Sequence, residues 1–106
     1  MNNKNESLEI TESTDDGICT LVAKRRIDAN SSEILDFKLE KALENGQAAI
    51  VLNMSQITYL SSMGIRIILK IYKKAAEAGG KFNIESPSEI VRNILGMVAL
   101  KELLVK

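Results

Sequence analysis

Five consecutive apolar residues, Ala48-Ala49-Ile50-Val51-Leu52, stand between the turn pair Asn45-Gly46 and Asn53. Successive side chains of a strand point to opposite faces, so an apolar run without alternation needs cover on both. A central strand in a sheet with parallel partners and helical crossovers meets that need. The run therefore predicts an α/β fold with this strand in the middle of the sheet.

The rest of the chain supplies its partners. Residues 8–11 and 18–23 read as strands, and the turn signal Asp15-Asp16-Gly17 between them makes an antiparallel hairpin the economical pairing. From Asn30 the period becomes helical: Asn30 as cap, Glu33 at the third position, then Ile34, Leu35, Leu39, Ala42 and Leu43 up to Asn45-Gly46. A second helix is expected from near Ser62 to Gly79-Gly80, with Ile65, Ile68, Leu69, Tyr72, Ala75 and Ala76 on its apolar face. A strand over Lys81–Glu85 leads to Ser86-Pro87-Ser88-Glu89, read as a Ser86 cap, Pro87 at the first helical position and Glu89 at the third, with the helix stopping at Gly96. Residues 99–105 are expected to pack on the body, helical first and then extended. The order β-β-α-β-α-β-α predicts a single domain over residues 1–106, with 1–6 a flexible polar lead-in. It has a mixed, mostly parallel four-stranded sheet and three to four helices.

Charge and composition narrow the function. Lys plus Arg and Asp plus Glu number 14 each, so no net field draws the chain to nucleic acid or anionic lipid, and neither direct nucleic-acid binding nor membrane insertion is expected. No apolar run approaches the roughly 20 residues of a membrane span, and residues 1–6 are polar where a secretory signal has an apolar region, so the expected location is the cytoplasm. The chain has no His, and its carboxylates show no metal-site spacing. Without the commonest general base and metal ligand, neither enzymatic chemistry nor a cofactor is expected. Cys19, the one cysteine, lies in an apolar stretch and reads as a buried structural thiol.

Partner sites in such folds gather where strand ends meet helix N-termini, which directs attention to the segment from Asn53 to Gly64, read as the link from the central strand to the second helix. Ser61 and Ser62 sit at that helix start, where unbonded N–H groups and the helix dipole favour an anion. Spacing alone favours a plainer reading, a serine N-cap worth about 1 kcal/mol and a Gly64 that permits close packing. Asp28 reads either as a cap of the first helix or as a charge presented to a partner. Arg66, Lys70, Lys73 and Lys74 make the second helix basic, either as a solvated face or as a partner contact beside Ser62.

The stretch Val51-Leu52-Asn53-Met54-Ser55-Gln56-Ile57-Thr58-Tyr59-Leu60-Ser61-Ser62-Met63-Gly64-Ile65-Arg66-Ile67-Ile68-Leu69 resembles the signature of STAS domains of the anti-sigma factor antagonist type. There an apolar strand ending in Asp or Asn leads to Asp-Ser-Ser/Ala-Gly and an apolar helix. Arg26-Ile27-Asp28-Ala29-Asn30, Ala78-Gly79-Gly80 and Met97-Val98-Ala99-Leu100 are similar to the family's flanking segments. The chain departs from the pattern at Ser61 (usually Asp), Met63 (usually small), Arg66 (often Gly) and Ala99 (usually Gly).

The resemblance implies a STAS fold and a bacterial regulator that binds an anti-sigma factor with a serine-kinase fold, releasing a sigma factor. The partner kinase would end that binding by phosphorylating Ser62, with Ser61 as alternate acceptor, and a serine phosphatase would reverse it. The partner-binding residues implied are Asp28, Asn53, Ser61, Ser62, Met63, Gly64 and Arg66. The alternative is a constitutive STAS scaffold subunit of a sensory or lipid-transport complex.

Overall fold

The structure is a computed structural model that describes residues 7–46 and 49–97. The expected lead-in at 1–6, Ala48 and the expected tail at 99–105 lie outside the described residues. The elements are β1 (Glu9–Asp15), β2 (Ile18–Ile27), α1 (Ser32–Glu44), β3 (Ala49–Leu60), α2 (Ser62–Glu77), β4 (Lys81–Glu85) and α3 (Glu89–Met97). One four-stranded sheet runs β1-β2-β3-β4. The β1–β2 hairpin is antiparallel, and β2–β3 and β3–β4 are parallel. This is the mixed, mostly parallel sheet that the apolar run implied, with β3 inside it.

Both inner strands are longer than the sequence suggests. The segment read as a link, Asn53 to Leu60, continues β3, and β2 runs on to Ile27 so that Ile27 pairs with Leu60. Strict alternation fails there, with Leu52, Met54, Ile57 and Leu60 buried, because the pairing slips between Val22 and Lys24 and again between Arg25 and Arg26. Extra residues at such bulges change which side chain faces the core. Arg25 takes a left-handed φ of 80° at the second slip, and Thr58 Oγ1 donates to its carbonyl at 3.2 Å.

The helix starts differ too. Asn30 does not cap α1: the Ser31 N–H donates to Asp28 Oδ1 at 2.8 Å, while the Asp28 N–H donates to Ser31 Oγ at 2.9 Å. This reciprocal box satisfies two donors of an opening turn that precedes α1 itself. At α3, Ser86 has a φ of 51° and cannot begin a helix; the cap is Ser88, whose Oγ accepts from the Val91 N–H at 3.4 Å. Ser88 is held by its own N–H, which donates to the carbonyl of Met54 in β3 at 3.0 Å.

The core joins Leu21, Leu52, Phe82 and Ile84 of the sheet to Leu35 and Leu39 of α1, Ile68 and Ile71 of α2, and Val91 and Leu95 of α3. Burying one such side chain contributes about 1.5–3 kcal/mol. The buried stripe of α2 is Gly64, Ile67, Ile68, Ile71 and Ala75, rotated from the expected face, and Ala76 is exposed. Apolar residues occupy so many positions of this helix that periodicity could not choose its rotation, whereas contact with both the sheet and α1 does. Ile34, expected inside, is 49% exposed. Cys19 is buried, and burial together with the nearby Glu12 carboxylate pushes its thiol pKa up, which keeps it protonated and unreactive.

Candidate functional site

The carboxyl ends of β2 and β3 lie side by side, and Asp28 and Ser61 follow the last paired residues, Ile27 and Leu60. The Ser61 N–H donates to the Ile27 carbonyl at 2.9 Å, which fixes the entry to α2. Ser61 is the N-cap: its backbone is extended (φ −82°, ψ 167°) and its Oγ accepts the Gly64 N–H at 3.2 Å. That assigns the cap to one hydroxyl and leaves the other free. Ser62, the first residue of α2, is exposed, and its hydroxyl makes no hydrogen bond among the described residues.

The helix start carries uncompensated positive potential. α1 has Glu33 and α3 has Glu89 in the first turn, but α2 has no acidic residue there. Partial charge from the unbonded N–H groups therefore meets no carboxylate of its own helix. Asp28, across the rim, is engaged in its box with Ser31. The backbone N–H and hydroxyl of Ser31 hold its carboxyl below the usual carboxylate range, so it is ionised at neutral pH.

Met63 and Arg66, both exposed, line a groove between α1 and α2 together with Ala29, Glu33, Asp36 and Lys70. Two of the cations deeper along α2 are taken: Lys70 lies 2.7 Å from Asp36, and Lys74 lies 2.9 Å from Glu40. Asp36 holds the Lys70 ammonium above its ordinary range, and Lys74, followed by Lys70, holds Glu40 below its own. Arg66 makes no ion pair among the described residues.

The rim thus gathers Asp28, Ser61, Ser62, Met63, Gly64 and Arg66. Gly64 itself is buried and acts by letting the helix approach β2. Asn53 is elsewhere: it pairs with Val22 and Glu85 in mid-sheet, seven positions before the strand's end and roughly 20 Å from it at the usual rise per residue. Its Oδ1 accepts from the N–H and the hydroxyl of Ser55 at 3.0 and 2.8 Å.

Two exposed groups escaped the sequence reading. Tyr59 is 38% exposed, with the Arg26 guanidinium 4.4 Å from its ring centre, a cation–π pair that reading 53–60 as strand would have brought to one face. Phe37 on α1 is 61% exposed, and its place opposite Leu35 and Leu39 on a helical wheel was the available signal.

Fold and rim together describe a small α/β module whose accessible chemistry is a free serine at a helix start. The family model of the STAS domain matches residues 9–105. The chain belongs to the STAS domain family.

Over 74 residues it is 23% identical to BtrV of Bordetella bronchiseptica, a candidate anti-sigma factor antagonist; the match covers 70% of this chain and 64% of that protein, less than two thirds of its length. An anti-sigma factor antagonist of Mycobacterium paratuberculosis superposes with a TM-score of 0.83 at 19% identity, over 93% of this chain and 84% of that one. The anti-sigma factor antagonist SpoIIAA in its unphosphorylated form gives 0.79 at 16% identity, over 93% and 86%. Its phosphorylated form, from Bacillus, gives 0.74 at 15% identity, over 93% and 89%. These likenesses are of fold.

Proposed function

We propose that this chain is an anti-sigma factor antagonist of the bacterial cytoplasm, a regulator of transcription that acts by binding rather than by catalysis. Unmodified, its rim engages an anti-sigma factor with a serine-kinase fold, and a sigma factor is released. Phosphorylation of Ser62 ends the binding, and a serine phosphatase restores it.

The observation that carries this reading is the division of labour at the start of α2. Ser61 is committed to the cap by its bond to the Gly64 N–H, and Ser62 beside it is exposed. A phosphate on Ser62 would add close to two negative charges at a helix N-terminus, where the fold tolerates them. The same charge facing a partner would have to be stripped of water in the interface, at a cost of several kcal/mol unless a cation meets it. One modification can then abolish binding and leave the fold intact. SpoIIAA, which shares the fold, has been solved both with and without phosphate.

The test is incubation with the cognate anti-sigma kinase and ATP, followed by intact-mass measurement and peptide mapping. One phosphate on Ser62, absent from Ser62→Ala, is expected. Phosphate on Ser61 alone, or none with a kinase shown to be active, refutes the switch.

A further inference from the structure

We propose that Arg66 is the internal counter-ion of a phosphate on Ser62, so that modification draws this side chain from the α1–α2 groove to the helix start. The inference rests on the reading of Ser62 as a phosphorylation site and concerns how this chain holds the modified state.

Ser62 and Arg66 are one helical turn apart on α2, and residues four apart project from the same face with about 5–6 Å between their Cβ atoms. Both are exposed, so each side chain can turn toward the other without displacing core. Competition for the guanidinium is slight. In the groove that Arg66 lines, Asp36 is held by Lys70 at 2.7 Å, which leaves Glu33 as the facing carboxylate. The first turn of α2 offers no acidic side chain either.

In the unmodified protein the arginine sits near the positive end of its own helix, an unfavourable place for a cation. A phosphate on Ser62 reverses the sign of that environment. It presents acceptor oxygens that a planar guanidinium meets in two parallel hydrogen bonds, which an ammonium cannot reproduce. Lys70 and Lys74 are paired with α1 and lie too far along the helix to substitute. Since Arg66 and Met63 line the same groove, moving the guanidinium alters the groove's charge and shape beside the serine, and the modification reaches beyond its own position.

The test uses the full chain with phosphoserine installed at position 62 during translation, so that it needs no kinase and its outcome is independent of whether a kinase acts there in the cell. The 31P shift of the phosphate is titrated at low salt in the protein and in its R66Q and R66K variants. A phosphoserine ordinarily takes its second proton near pH 6. The expected midpoint with Arg66 is roughly half a unit below that of R66Q, with R66K between them. The difference should collapse in 0.5 M salt, where the screening length falls to about 4 Å. Thermal melts of R66Q and R66K check that both remain folded. Equal midpoints for the protein and R66Q at low salt would overturn the proposal, because the helix N-terminus alone would then account for the titration.

Discussion

Gly64 approaches Ile27 so closely that a Cβ built on its backbone would lie 2.8 Å from Ile27 Cγ2, and also 2.8 Å from Leu60 Cδ1. Its backbone is helical, so what demands glycine is space. Ile27 is fully buried and has nowhere to go, so Gly64→Ala must push the first turn of α2 off the end of β2. We expect a loss of about 1–3 kcal/mol, read by urea unfolding, with broadened amide resonances around Ser62. A variant as stable as the parent would mean that the turn slides freely, and the rim is then not rigidly placed.

The two adjacent serines should separate cleanly in stability. Ser61→Ala removes the acceptor of the Gly64 N–H and should cost about 1 kcal/mol. Ser62→Ala, at an exposed position with no bonded partner among the described residues, should stay within about 0.5 kcal/mol of the parent. Denaturant midpoints of both variants decide it, and the reverse order would reassign the cap.

Ser62→Asp tests the charge argument without phosphorylation. A carboxylate at the start of α2 should stabilise the fold by about 0.3–1 kcal/mol, while in the interface with the anti-sigma factor it should cost about 3 kcal/mol, roughly a hundredfold in Kd. Calorimetric titration is compared with thermal melting. Unchanged affinity with a lowered Tm would invert this division.

Asp28 makes stability depend on acid. Its folded pKa is depressed by the Ser31 N–H and hydroxyl below the ordinary 3.8, so its contribution is fully present above that value and is lost as pH falls through the folded pKa. The gap in Tm between the protein and Asp28→Ala should therefore be constant from neutral pH down to about pH 5 and shrink below pH 4. A gap that widens in acid would mean that the carboxyl is better bonded when protonated.

How legible the molecule was in its sequence varies by element. β4 has the expected bounds, Lys81–Glu85, and α2 begins at the expected Ser62, because Gly79-Gly80 and Ser61-Ser62 mark those boundaries locally. The candidate rim was legible in part. Ser61, Ser62 and Asp28 lie where the strand-end argument directed attention, but Asn53 does not, since the link proved to be eight further residues of β3. Nothing in Ser55-Gln56-Ile57-Thr58 distinguishes strand from loop by itself. Pairing with β2 across two bulges decides it.

By itself, then, the sequence determined the kind and order of the elements and the position of the central strand, because these follow from period and turn chemistry within a few residues. Tertiary structure decided how far β2 and β3 extend, which stripe of α2 is buried, that Ser31 and Ser88 complete the openings of α1 and α3 where Asn30 and Ser86 were expected, and that Ser61 is committed to the cap while Ser62 stays exposed. Each of those is a contest between local choices of nearly equal energy, and contacts between residues far apart in the chain settle it.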